Sequence, residues 1–168
     1  PDLTLPQGEI IGIIGNNGAG KSTFARCLCG LDKKAKGVLE MDGTPYDAKQ
    51  RRHISYMVMQ DVNHQLFTED VLDELLLSMG GEDEKADTAR AKEILNSLDL
   101  LDKVKLHPMS LSGGEKQRVA IGSAIASDKK ILIFDEPTSG LDYRHMLEVS
   151  HNLNRLKEMG KSLFLITH

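Results

Sequence analysis

Residues 8–23 read GEIIGIIGNNGAGKST, a short apolar run that stops at a glycine-rich loop and passes into a helical pattern. Strand, glycine loop and helix in that order leave few folds open, because the strand must be buried in a sheet and the helix must return across its face. The loop satisfies G-x-x-x-x-G-K-[ST] with Gly15, Gly20, Lys21 and Ser22, in the strand-to-helix context the motif requires. Triphosphate oxygens are met by backbone N–H groups, so side chains must be absent where the loop curls around them. Asn16, Asn17, Gly18, Ala19 and Thr23 complete the candidate cradle. Lys21 adds a point charge for β- and γ-phosphates, and the Ser22 hydroxyl is a hard oxygen ligand suited to Mg²⁺.

The remaining pattern is α/β. A helix is expected over residues 21–29, with Phe24, Cys27 and Leu28 on its inner face and Gly30 as its stop. GVLEMDGTPY reads as a strand entering a turn at Asp42-Gly43, and HISYMVM as another strand. Residues 69–101 read as helical, interrupted by MGGEDE, with Val71, Leu72, Leu75, Leu76 and Met79, then Ile94, Leu95 and Leu98, as apolar faces. KILIFDE and SLFLIT are strands flanking a helix over 143–159 whose inner residues are Met146, Val149, Leu153 and Leu156. Apolar runs without alternation are expected of parallel strands buried on both faces. The 168 residues make one domain: a mostly parallel sheet flanked by helices over about 1–60 and 128–168, with a helical subdomain inserted over about 61–127. The chain starts without methionine and stops directly after a strand-like run, and reads as a piece of a longer protein cut at both ends. No run approaches the ~20 apolar residues of a membrane span. A net charge of −4 argues against a nucleic-acid partner. Cys27 and Cys29, two apart on a helix, read as small buried hydrophobes.

Two further clusters carry chemistry. ILIFDEP, residues 131–137, ends a buried strand on Asp135, at the strand end where open α/β sheets bind ligands. Asp135 is placed to anchor Mg²⁺ and Glu136 to orient or activate an attacking water. Pro137 is expected to hold Glu136 extended. LSGGEKQRVAIGSAIA, residues 111–126, reads as a helix beginning near Gly113, with Ser112 and Glu115 as a capping box. The box leaves Gly113-Gly114 unexplained, since each glycine inside a helix costs about 1 kcal/mol relative to alanine. Bare N–H groups at a helix start would suit a phosphate, yet the chain already has a phosphate loop.

In this order the motifs resemble the ATP-binding cassette family, a class of P-loop NTPases. Residues 15–22 match its Walker A loop, Gln60 its Q-loop glutamine, and residues 111–115 its LSGGQ-type signature with Glu115 in the fifth place. Asp135 and Glu136 match Walker B with the catalytic glutamate, residues 139–142 the D-loop, and His168 the switch histidine. The resemblance implies ATP and Mg²⁺ as cofactors, with Ser22, Gln60 and Asp135 at the metal and Lys21, Gln60, Glu136 and His168 serving hydrolysis. It also resolves the second anion site, because in the family Ser112, Gly113 and Gly114 would face the γ-phosphate held by a second cassette domain, head to tail. Asp142 is equally a good N-cap for the following helix, and a terminal histidine can be a frayed end. The other five histidines, His53 and His151 among them, show no partner spacing and are expected to be solvated. No adenine contact is assigned, since the family's stacking aromatic comes from a strand upstream of the loop.

Such an ATPase could drive a membrane transporter, act as a soluble cassette protein on DNA or the ribosome, or bind nucleotide without hydrolysis. Only residues 23–110 separate Walker A from the signature, with no sustained heptad, which disfavours the chromosome type. Glu136 and His168 disfavour the non-hydrolysing one. QDVNHQLF, with Gln60, Asp61, Gln65, Leu66 and Phe67, resembles the ATPases of energy-coupling-factor importers, which take up vitamins or metal ions. That resemblance implies ATP-driven dimerisation with a like or sister subunit. It also implies a transmembrane subunit docked near the Q-loop, with Asn63 and His64 at the contact, and a place on the cytoplasmic side of the membrane. Phe67 is either a partner anchor or a hydrophobic staple to Leu72, with Thr68 as N-cap and Glu69 and Asp70 in the first helical turn.

Overall fold

The computed structural model describes residues 2–168. In chain order its elements are β1 (Ile10–Ile14), α1 (Lys21–Leu28), β2 (Leu39–Met41), β3 (Thr44–Tyr46), α2 (Ala48–Ile54), β4 (Ser55–Val58), α3 (Val71–Met79), α4 (Glu84–Ser97), α5 (Gly113–Ala126), β5 (Ile131–Asp135), α6 (Tyr143–Glu158) and β6 (Ser162–Thr167). Short 3₁₀ turns lie at Val62–His64, Leu101–Lys103 and Pro108–Ser110.

The sheet has the order β1-β6-β5-β4, and every pairing in it is parallel. Its central strand β5 is buried at all positions, as its unbroken apolar run requires. Alternate side chains of the strands divide the core in two. Val58, Leu132, Phe134 and Leu163 join the inner faces of α3, α4, α5 and α6. Met57, Ile131, Ile133, Phe164 and Ile166 pack instead against Ala25 of α1 and its C-capping residue Cys29. β2 and β3 form a separate antiparallel hairpin. Positive φ at both Asp42 and Gly43 is what a two-residue primed turn needs.

Between β4 and β5 lie α3, α4 and α5, and α4 and α5 cap each other. Arg90 of α4 donates to the carbonyls of Ile125 and Ala126 at the end of α5. Arg118 of α5 donates to the Leu98 carbonyl at the end of α4, 2.7 Å away. Both place a cation where unpaired carbonyls and the helix dipole favour it. Among the described residues no helix is long and apolar enough to cross a membrane.

Local details depart from the sequence reading. Ala48–Ile54 form a helix the sequence reading did not assign, so the strand read over HISYMVM begins at Ser55 rather than His53. The signal of the helix was an Asp47/Gln50 capping box, masked by the apolar run that follows. Ala25, Leu28 and the C-capping Cys29 face the core from α1, Cys27 is only partly buried, and Phe24 is 41% exposed. Asp70, not Thr68, caps α3, accepting from the Asp73 N–H. Phe67 is 73% exposed and so is no staple on Leu72; the buried Glu74 carboxylate instead accepts the N–H groups of Phe67 and Thr68.

Gly30 ends α1 at φ +69, and a Cβ there would lie 2.2 Å from the Ala48 carbonyl oxygen. Gly30→Ala combines left-handed strain with a backbone clash, so it is expected to cost about 2–4 kcal/mol. A urea unfolding midpoint indistinguishable from that of the parent would refute this account of the α1–α2 junction.

Candidate functional site

Because the strands are parallel, four carboxyl ends open on one edge of the sheet. β1 runs into the glycine loop, β6 into His168, β5 into Asp135 and Glu136, and β4 into Gln60. The loop curls with positive φ at Gly18 and Gly20. Lys21 at the start of α1 turns its ammonium back on the loop carbonyls of Gly15, at 2.5 Å, and Asn16, at 3.0 Å. The Ser22 hydroxyl donates to Asp135 Oδ2 over 2.8 Å. A hydroxyl and a carboxylate so close form the hard-oxygen donor set that suits Mg²⁺, and a lysine over a ring of backbone groups suits a polyphosphate. These residues therefore fit ATP and Mg²⁺. Glu136 stands between two partners: Gln60 Nε2 lies 3.4 Å from Glu136 Oε2, and His168 Nε2 meets Glu136 Oε1.

Glu136 is not extended. Its φ is +52, in the left-handed region that proline after it does not prevent. Its N–H still bonds to Ile166 O of β6, so the sheet holds the residue while the chain turns away. The start of α5 faces a different cleft, which shares with these residues only Gln60. Ser112 Oγ accepts the Glu115 N–H and Glu115 accepts the Ser112 N–H, a complete capping box. Ser112, Gly113 and Gly114 line a cleft of about 650 Å³ together with residues 60–63 and 139–142.

Residues 1–139 match the family described as ABC transporter. The chain belongs to that family. It is 50% identical over 161 residues to an ABC transporter ATP-binding protein of Treponema denticola, covering 96% of this chain and 32% of that protein. It is 37% identical over 186 aligned positions to the arginine transport ATP-binding protein ArgV of Corynebacterium glutamicum, covering 99% and 72%. The solved structure of cbiO1 from Clostridium perfringens, part of the ABC transporter complex cbiONQ, superposes with a TM-score of 0.81 at 29% identity, covering 99% and 69%. The chain spans about a third of the length of the two Treponema relatives it matches, 32% and 33%.

Within this cassette domain the two signature glycines differ. A Cβ on Gly114 would meet Leu141 Cδ2 at 3.3 Å and the Gly140 carbonyl at 3.5 Å, whereas one on Gly113 would meet nothing within 4 Å. Gly114 thus answers to the neighbouring turn, and Gly113 to nothing in its own chain. A further cluster, with an i,i+3 spacing in the sequence, is the pair Asp142 and His145. Asp142 caps α6 through the His145 N–H and holds the ring Nδ1 at 2.9 Å, while His145 Nε2 stands 3.6 Å from Asp99. His145 is therefore not a solvated histidine, although His53, His64, His107 and His151 are exposed.

Gly113→Ala is expected to leave the cassette domain at least as stable as the parent, and Gly114→Ala to fall below it by about 1 kcal/mol. Chemical denaturation of the two variants side by side checks the order. The Asp142 carboxyl lies below the ordinary carboxylate range, held there first by the His145 backbone N–H and then by the His145 ring. A depressed carboxyl stabilises above its unfolded pKa and loses that contribution as pH falls through its folded one. Asn caps a helix as well as Asp does but does not titrate. In melts run from about pH 6 to about pH 3, across the carboxylate range, Asp142→Asn should lose less stability than the parent.

Proposed function

We propose that this domain binds and hydrolyses ATP as the energising part of an ABC importer. One observation carries the reading: Ser22 with Asp135, and Gln60 with Glu136 and His168, meet at the carboxyl ends of neighbouring parallel strands. The backbone of residues 15–23 and Lys21 would hold the triphosphate, and Ser22, Asp135 and Gln60 would hold Mg²⁺. When bound, Mg²⁺ neutralises charge on the phosphate oxygens. Glu136 is placed to take a proton from water, with His168 and Gln60 fixing its carboxylate on either side. Ser112, Gly113 and Gly114 offer N–H groups to a nucleotide held by a second cassette domain, whether a copy or a sister subunit, and the open face of Gly113 supports that role.

The division into a sheet core over about 1–60 and 128–168 and a helical subdomain over about 61–127 belongs to the same proposal. So does docking on a membrane protein near residues 61–65, which places the domain at the cytoplasmic face of a membrane with no nucleic acid involved. Similarity to cbiO1 and the QDVNHQLF segment favour the energy-coupling-factor type of importer. Glu136→Gln in the full chain is expected to lower turnover by about 10²–10⁴-fold while ATP binding persists and light scattering records an ATP-dependent dimer. Turnover at the parental rate would remove Glu136 from the role assigned to it.

A further inference from the structure

β4 is an edge strand, so among the described residues no strand pairs with the groups on its outer side, and such groups need partners. The side chain of Gln65 supplies them. Its Nε2 donates to the Met57 carbonyl at 2.7 Å, and its Oε1 accepts the Met59 N–H at 2.7 Å. In a parallel ladder, a residue opposite position i bonds to the carbonyl of i−1 and the N–H of i+1. The Gln65 amide makes that pair of bonds about Val58, standing in for one peptide of a missing fifth strand. The orientation of the amide follows from the network, since a flip would set NH₂ against N–H.

The position of this mimic matters. Met59 is the last residue before Gln60, which stands 3.4 Å from Glu136. Without the clamp the strand would be bonded on its inner side only, along the ladder from Ser55 to Val58. Gln65 is itself held, because Leu66 and Val62 on either side of it are buried in the main core. Residues 60–65 therefore form a closed loop, fastened to the sheet at the point where Gln60 departs.

We infer that Gln65 is a positioning residue for Gln60, acting through the Met59 peptide rather than by touching nucleotide or water. This rests on the role given to Gln60 above. It accounts for a glutamine that neither the phosphate site nor the signature helix uses.

The test is a double-mutant cycle in the full chain with Gln60→Ala, Gln65→Leu and both together, read by kcat, ATP affinity and hydrogen exchange at the Met59 amide. Gln65→Leu should lower kcat about tenfold, keep ATP affinity within about twofold, and speed Met59 exchange by about tenfold or more. Added to Gln60→Ala it should lower kcat no further, since the two act in series. Gln65→Glu keeps the acceptor for Met59 but sets an oxygen against the Met57 carbonyl, so it should fall between parent and leucine variant. It carries the test if Gln65→Leu does not fold. Multiplicative losses in the double variant, or parental kcat with an unprotected Met59 amide, would overturn the proposal alone. Parental kcat in Gln60→Ala would instead overturn the role of Gln60, and this proposal with it.

Discussion

Parallel pairing of β1, β6, β5 and β4 is the constraint on which everything else in this domain rests. A parallel sheet sends each carboxyl end to the same edge, so four separate sequence segments deliver their polar residues to one place. No single segment holds the site. The glycine loop, Gln60, the Asp135-Glu136 pair and His168 are spread over more than 150 residues. They become neighbours because Leu132, Ile133, Phe134, Leu163 and Phe164 leave the central strands no other place than the interior. Burial on two faces, α1 on one and α5 with α6 on the other, fixes the register of the strands and with it the spacing of their ends.

The helical part between β4 and β5 depends on a different kind of bond. Arg90 and Arg118 fasten α4 and α5 end to end, and a Cβ on Gly122 would crowd Leu98 Cδ1 at 3.3 Å, so the glycine gives that side chain room against α5. The start of α5 is thereby carried as a rigid unit. It reaches the sheet edge through the loop after Gln60, where Lys116 bonds to Asn63 over 3.1 Å and Val62 is buried. Residues 60–65 thus fasten the start of α5 to the strand end that bears Gln60, beside the direct packing of α5 on β4.

What the sequence made legible follows the range of the forces involved. Strands β5 and β6 were plain because burial writes itself as unbroken apolar runs; β1 carries the same kind of run between glycines although, at the sheet edge, it stays partly exposed. The Ser112/Glu115 capping box and the Asp142 cap were plain because each is settled within four residues. The α2 helix was lost where a short polar helix runs directly into an apolar strand, leaving one hydrophobic run to stand for two elements. The Phe67 staple failed for a non-local reason. Glu74, seven residues on, captures the Phe67 and Thr68 N–H groups, and Asp70 is left as the cap. Gln65 was visible only as part of a pattern, since its bonds are to an edge that exists once β4 has found its place beside β5.

The conformation of Glu136 ties these levels together. In a regular strand, adjacent side chains point to opposite faces, so Asp135 and Glu136 could not both serve one site if the chain stayed extended. The left-handed φ of Glu136 breaks that alternation at the one position where two consecutive carboxylates face different tasks. Asp135 keeps its strand geometry and meets Ser22; Glu136 is rotated to lie between Gln60 and His168. For a residue other than glycine this conformation costs about 1–2 kcal/mol, and it persists because the surrounding turn is over-determined. The Glu136 N–H is held by Ile166, and its carbonyl accepts the Ser139 N–H. Glycine at this position would relieve the strain but carry no carboxylate, so the strain follows directly from placing an acid beside an acid at the end of a strand.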